Sequence, residues 1–323
     1  MEVTTVQVEV RDQTHVAEAR RQAESAAMRE GFDEADVGRA AIVATELGTN
    51  LLKHAAGGEI LIDRAQGLQI LALDKGPGMA DVEACMTDGY STGGTRGEGL
   101  GAARRQAETF EVYSRPGQGA AVLARLTAGR APSPAPAWAA VCIPYPGETL
   151  CGDAWRVRID DGVPTLITVD GLGHGLFAHE ASLAALEAFD KHGIKPLTEV
   201  LDHLHGALRP TRGAAVSLAR LHADRVEFAG VGNVAGVVAS GATGRRMISH
   251  NGTLGHIARR FQAFDYPVTG PAVLVLHSDG LGTSWTFDRY PGLTASDPAL
   301  IASVLYRDFN RGRDDVTVLA FRG

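Results

Sequence analysis

Glu46 and Asn50 stand four residues apart in a stretch where Val37, Ala40, Ala41, Ala44, Leu47 and Leu51 recur at helical spacing. Four residues is just over one turn, so both polar side chains leave the same face, outside the apolar stripe. A carboxamide oxygen near a carboxylate suits Mg2+, a hard cation that keeps several waters and is completed by substrate phosphates. Taken alone, the pair is better read as an ordinary solvated helix face. Asp74 ends the apolar run 68–73 and is followed by Lys75-Gly76-Pro77-Gly78. A carboxylate there, with two glycines beyond it, can accept a hydrogen bond from the exocyclic amine of adenine deep in a pocket. Gly and Pro after a strand also describe an ordinary turn. The glycine-rich run 93–101 joins backbone N–H groups to a helix start, as phosphate binding needs. Its G-x-G-x-G spacing is neither a dinucleotide fingerprint nor a P-loop.

Four acidic sites punctuate the second half: Gly152-Asp153, Asp170-Gly171, Ser278-Asp279-Gly280 and Asp314-Asp315. Most fall at the ends or just before the starts of strand-like runs, which can converge at one end of a sandwich. Carboxylates gathered there repel by on the order of 4 kcal/mol per close pair at an effective dielectric near 20. A divalent cation relieves that repulsion. Any one Asp-Gly pair is better read as a turn; the four in this order carry the argument. His174 has the chemistry of a proton donor to a leaving hydroxyl, but its glycine-rich surroundings favour a structural role. Arg259 and Arg260 could meet a phosphate, although such a pair is more often solvated surface.

The elements that must hold these residues read clearly. In the first half, a strand over 6–10 precedes helices over 14–30 and from Asp33 to the Gly57-Gly58 stop. Strands over 59–64 and 68–74 turn near Gln66-Gly67, a helix starts at Leu100, and strands over 110–114 and 120–126 flank Pro116-Gly117-Gln118-Gly119. This predicts helices on one face of a mixed sheet. Residues 128–137, AGRAPSPAPA, form a proline-rich linker. Beyond it, strands are expected over 154–159, 165–170, 214–221, 225–231, 234–239, 272–278 and 316–321, with helices over 178–191, 197–208 and 298–310. Many strands and few helices imply a β-sandwich flanked by helices, so the fold class is α/β (α+β) in two domains.

Composition excludes several function classes. With 323 residues, 45% hydrophobic and 21% charged, the chain has globular proportions and room for two cores. A net charge of −7 leaves no broad basic face, so nucleic acid is not an expected partner. Cys85, Cys142 and Cys151 form an odd, scattered set that supports neither a disulfide framework nor a zinc site. No apolar run approaches a membrane span and the start has no signal-peptide pattern, so a soluble, cytoplasmic protein is expected. The pattern sets no oligomeric state.

Together, ELGTNLLKHA, DKGPG and GEGLG resemble the N box and the two glycine boxes of the GHKL ATPase superfamily. TELGTNLLKHAAGGEI, DKGPGMADVEACMTDGYSTGG and GEGLGAARR are more closely similar to the RsbT-type switch kinases and related anti-sigma serine kinases. The resemblance covers nearly all of residues 3–125 and implies a GHKL α/β sandwich over 1–128. It implies ATP and Mg2+ as cofactors, with Asn50 on the metal and Asp74 on adenine. Gly76, Gly78, Gly97, Gly99 and Gly101 would shape the pocket and lid, with Glu46 as general base. No phosphoacceptor-His dimerisation helix of a sensor kinase is apparent.

After the linker at 129–137, DGLGHG, AGVGN, SDG and RDDVT resemble the SpoIIE/RsbX branch of PPM-type metal-dependent phosphatases. This implies an α/β/β/α domain over 138–323 holding two Mn2+ or Mg2+ ions, at which water attacks a serine or threonine phosphate. Asp170 would bridge the ions and Gly171 add its carbonyl. Asp279 and Asp314 would each bind one ion, and Asp153 would assist through metal-bound water. Asp315 is the less favoured alternative to Asp314. The basic residue that helps to bind phosphate near the first motif of eukaryotic relatives has no assignable counterpart here.

Kinase-like and phosphatase-like halves imply opposite reactions. In the resembled families the substrate is a serine or threonine on a small STAS-domain protein in bacterial partner switching, among regulators of sigma-factor pathways. The expected function is therefore bifunctional: phosphorylation of such a partner by the first half and dephosphorylation by the second. The rival reading makes the first half a nucleotide-gated binding domain without transfer activity, coupled to an active phosphatase.

Overall fold

The computed structural model describes residues 5–85, 99–131, 135–241, 243–258 and 260–323. The chain divides into two units, Met1–Pro136 with Ala299–Arg307, and Ala137–Pro298 with Asp308–Gly323.

The first unit starts with β1 (Val6–Val10), followed by α1 (Gln13–Arg29) and α2 (Glu34–Ala55). Asp12 caps α1 by accepting from the N–H groups of Thr14 and His15, and Asp33 caps α2 through the N–H of Asp36. α2 ends where Ala56 turns left-handed at φ 58° and Gly57 N–H reaches back to the Leu51 carbonyl. There follow β2 (Gly58–Asp63), β3 (Leu68–Leu73), the short α3 (Val82–Cys85), α4 (Gly99–Gln106), β4 (Thr109–Ser114) and β5 (Ala120–Leu126).

The sheet order is β1-β2-β3-β5-β4. Each pairing is antiparallel, where a mixed sheet was expected. The helix pair explains the difference: α1 carries the chain down and α2 carries it back, so β2 leaves from the end that β1 reached and must run opposite to it. Period-2 alternation sends Val8, Val10, Ile60, Ile62, Ile70, Ala72, Val122 and Ala124 into one core with Ala19, Ala23, Ala40, Ala44, Leu47 and Leu51 of the helices. Leu61, Leu71 and Leu123 alternate to the other face and are also buried.

The second unit runs through β6 (Trp138–Ile143), β7 (Asp153–Asp160), β8 (Val163–Gly171), α5 (Leu176–His192), α6 (Leu197–Leu208), β9 (Ala214–Leu221) and β10 (Arg225–Val231). It continues with β11 (Ala235–Ser240), β12 (Thr243–Met247), β13 (Ser249–His250), β14 (Phe264–Pro267) and β15 (Ala272–His277). Last come α7 (Pro298–Phe309), whose residues 299–307 group with the first unit, and β16 (Val316–Arg322). One sheet has the order β13-β10-β9-β8-β7, with β14 also on β10; the other is β12-β11-β15-β16-β6. α5 and α6 cover the first sheet, where Ile167, Val169, Val216 and Leu218 meet Ala181, Ala185, Phe189 and Leu201.

Strands β6, β12, β13 and β14 were not anticipated. β6 follows directly on the proline-rich stretch, and β12, reading TGRRM, carries glycine and two arginines in place of an apolar pattern. Both are edge strands, recognisable by their partners more than by their own residues. No helix among the described residues is long and apolar enough to cross a membrane.

Candidate functional site

In the first unit, Glu46 and Asn50 lie one turn apart on α2, both half-buried. The Asn50 amide nitrogen is buried with no hydrogen-bond partner among the described residues. Such a group awaits a ligand, or a flip that turns its oxygen the same way. Asp74 follows β3, and its Oδ1 accepts from Gly76 N–H at 2.7 Å and Ala120 N–H at 3.2 Å. Burial raises its carboxyl above the usual range, partly offset by those two bonds. A Cβ on Gly76 would lie 2.8 Å from Ala55 Cβ, and one on Gly78, at φ +68°, would lie 2.1 Å from the Arg115 carbonyl oxygen. These glycines therefore let the Asp74 loop close against α2 and the β4–β5 turn.

That turn belongs to the site, which the sequence reading missed. Gly119 N–H donates to the Gly76 carbonyl at 3.0 Å and Gly117 N–H to the Pro77 carbonyl at 2.7 Å. A Cβ on Gly119 would meet the Asp74 carbonyl oxygen at 2.0 Å. The sequence signal was the positive-φ glycine spacing of Pro116-Gly117-Gln118-Gly119, read there only as a hairpin. Gly97 lies outside the described residues. Gly99 opens α4, and Gly101 is buried in its first turn.

In the second unit, β7 and β8 pair so that Asp153 stands opposite Asp170. Asp153 Oδ2 accepts from Ser278 Oγ at 2.5 Å. Among the described residues, Asp170 Oδ2 is buried without a partner. Asp279 holds the Asn233 amide, and Asp314 Oδ1 accepts from Asp315 N–H at 3.0 Å. Burial, then Asp170, drives the Asp153 carboxyl well above its usual value. Burial, then Asp279 and Asp314, pushes Asp170 to about 7, while burial and Asp314 raise Asp279. The structure thus gathers Asp153, Asp170, Asp279 and Asp314 into one mutually repelling acidic group. Among the described residues no three Asp, Glu, His or Cys side chains are already closed into a metal cage.

Asp315 is almost fully buried: Oδ1 accepts from Tyr145 N–H at 2.8 Å, and Oδ2 has no partner among the described residues. A Cβ on Gly152 would lie 2.7 Å from that Oδ2, and one on Gly171 would lie 2.2 Å from the Ala178 carbonyl oxygen. The orphaned oxygens of Asp170 and Asp315, the crowded carboxylates and glycine backbone packed too closely for side chains fit a divalent-cation centre. Ser278 and Asn233, which in the sequence stand only within their motifs, fix Asp153 and Asp279 in the structure.

His174 stacks on Tyr145 at 4.3 Å and bonds Glu148 Oε1 at 2.9 Å, contacts that anchor the loop after β8. Arg260 is exposed and Arg259 lies outside the described residues. The cysteines are free, yet Cys142 and Cys151 bring their sulfurs within 3.6 Å of each other, which their sequence spacing did not announce.

Residues 10–126 match the histidine kinase-like ATPase domain family. The chain is 32% identical over 122 residues to the serine/threonine-protein kinase RsbT of Bacillus subtilis (strain 168), covering 36% of this chain and 92% of RsbT. The chain belongs to the RsbT family of GHKL domains. It is also 24% identical over 139 residues to the phosphoserine phosphatase RsbX of the same organism, covering 42% of this chain and 69% of RsbX. A solved structure of RsbX in complex with magnesium superposes with a TM-score of 0.51 at 18% identity, covering 58% of this chain and 94% of that one. A GHKL kinase-type domain is therefore fused to a domain of the PPM phosphatase fold.

Proposed function

We propose that this chain is a bifunctional partner-switching regulator. In this reading its GHKL domain phosphorylates a serine or threonine of a STAS-domain protein with ATP and Mg2+, and its PPM domain removes phosphate from such a partner. The observation that carries it is the register setting Asp153 against Asp170, whose carboxyl also feels the charges of Asp279 and Asp314.

In the GHKL domain, Asp74 would accept from the adenine amine through Oδ2, since Oδ1 is engaged by Gly76 and Ala120. Asn50 would hold Mg2+, Gly76, Gly78, Gly97, Gly99 and Gly101 would shape the pocket, and Glu46 would take the proton from the attacking hydroxyl. In the PPM domain, Asp153, Asp170, the Gly171 carbonyl, Asp279 and Asp314 would hold two Mn2+ or Mg2+ ions. When bound, the ions supply charge neutralisation and a nucleophilic water. The protein's own part is to hold those carboxylates in place against their mutual repulsion, with Ser278 and Asn233 as their struts.

The test incubates the full chain with ATP, Mg2+ and candidate STAS-domain proteins, locates phosphate by mass spectrometry, then follows its release with and without chelator. Phosphate gained only with ATP and lost only with free divalent metal is expected. Nucleotide binding with no transfer to any candidate would favour the non-transferring rival.

A further inference from the structure

The acidic centre raises a charge question. Asp153, Asp170, Asp279 and Asp314 carry four negative charges when ionised, which two divalent ions only balance. A phosphomonoester dianion then arrives at a neutral site, and its extra charge calls for a cation from the protein.

The chain beyond β8 provides one. The β8–β9 ladder pairs Asp170 with Ala215 and Gly171 with Ala214, and Leu172 N–H extends it to the Gly213 carbonyl at 3.0 Å. Arg212 therefore emerges beside the loop that carries Asp170. A Cβ on Gly173, at φ +87°, would lie 3.1 Å from Arg212 Nη1, so the guanidinium lies across the loop three residues from Asp170. Three residues of chain span at most about 10–11 Å. Arg212 is also held: its guanidinium carbon sits 4.8 Å from the ring centroid of Phe177, in the first turn of α5. Phe177 is 55% exposed, and an exposed phenyl ring carrying a cation serves as a platform that fixes the guanidinium.

Arg212 makes no ion pair or hydrogen bond with the described residues. In the same unit Arg156, Arg158 and Arg225 are tied to carboxylates and Arg220 to backbone carbonyls. Arg311 acts on the centre through Asp279, where it opposes in part the rise that burial and Asp314 impose on that carboxyl. Arg212 thus combines an uncommitted planar donor fork, an aromatic support and a position against the loop that leaves Asp170.

We infer that Arg212, stacked on Phe177, is the residue that binds the phosphoryl group of the substrate in the PPM domain. The inference rests on the phosphatase reading above. It also assigns the phosphate-binding cation that had no counterpart near the first motif, from a position 42 residues beyond Asp170 in the chain.

The test uses the full chain with saturating Mn2+ and two probes. Calorimetry measures inorganic phosphate binding, and steady-state kinetics on p-nitrophenyl phosphate separates KM from kcat. Arg212→Ala is expected to weaken phosphate binding and raise KM by about 10-fold or more, with Mn2+ affinity unchanged. Arg212→Lys should recover only part of the binding, because the ammonium keeps the charge but not the fork, and Phe177→Leu should raise KM severalfold because the fork loses its support. Arg313→Ala, which removes an exposed charge one residue before Asp314, should change binding less than about twofold. Unaltered phosphate affinity and KM in a folded Arg212→Ala protein would overturn the assignment, as would an equal loss in Arg313→Ala. Wild-type protein that neither binds phosphate nor hydrolyses the ester would instead reject the phosphatase reading itself.

Discussion

Asp170 faces Asp153 directly across the β7–β8 ladder, with its Oδ2 buried and unpartnered among the described residues. A strand pair that sets two buried carboxylates against each other works against its own stability unless positive charge is placed between them. The second unit is therefore expected to be more stable with metal than without it.

Replacing Asp170 by Asn should separate the two sides of that balance. In chelator the variant should be more stable than the wild type by about 1–3 kcal/mol and unfold at a higher temperature, because one member of the repelling group becomes neutral. With excess Mn2+ the order should reverse, since the wild type gains binding energy that the variant cannot. Thermal unfolding with and without Mn2+ reads both effects; equal metal-induced shifts in the two proteins would remove Asp170 from the metal centre.

In the GHKL domain, binding and transfer should come apart. Asn at position 74 can still accept from Gly76 and Ala120, so Asp74→Asn should keep its loop while weakening ATP binding by about 10-fold or more. Asn50→Asp should likewise weaken binding of ATP with Mg2+. Glu46→Gln should bind nucleotide within about twofold of wild type yet lose about 100-fold or more in phosphotransfer, because an amide cannot take the hydroxyl proton. Calorimetry paired with a transfer assay decides this, and normal transfer by Glu46→Gln would exclude it as the base.

Gly117 and Gly119 provide an internal control for the turn that secures Asp74. Both have positive φ, +74° and +72°, but a Cβ on Gly117 meets nothing within 4 Å, whereas one on Gly119 meets the Asp74 carbonyl oxygen at 2.0 Å. Gly117→Ala should cost only the backbone strain, about 1–2 kcal/mol. Gly119→Ala should cost about 1–3 kcal/mol more and weaken nucleotide binding, because the Asp74 loop must move. Equal effects from the two changes would show that the turn does not position Asp74.

The contrast between those glycines also shows where sequence reading stopped. Helix α2 was legible because Asp33, the apolar stripe and Gly57 mark its start, face and end. The acidic motifs were legible because each joins a carboxylate to glycine or to a second carboxylate. What joins them was not: Asp153 meets Asp170 through strand register, and Gly119 meets Asp74 through a hairpin, over separations that leave no periodic trace. The parallel pairings expected in the first sheet failed for a related reason, since strand direction depends on how α1 and α2 return the chain. Arg212 has no motif at all, and its relation to Gly173 exists only once β8 and β9 pair.

Asp63, at the end of β2, makes a pH-dependent prediction independent of either proposed activity. It is 4% exposed, accepts from Ala65 N–H at 2.8 Å and Thr5 Oγ1 at 3.3 Å, and has its carboxyl pushed up to about 6 by burial. Arg64 opposes the rise and Glu30 adds to it, but burial dominates. A folded pKa above the unfolded value of 3.8 means that the native state holds the proton more tightly. The associated stability is fully present below about pH 4 and is lost as pH rises through about 6. Asp63→Asn stays neutral and keeps an acceptor for Ala65, so its advantage over wild type should appear between pH 4 and 6 and level off above that. A shift of about two pKa units corresponds to about 3 kcal/mol at most. Denaturant unfolding of the first unit's transition at pH 4 and pH 8 measures the difference. A gain of the same size at both pH values would show that Asp63 is not a buried carboxylate ionising against its surroundings.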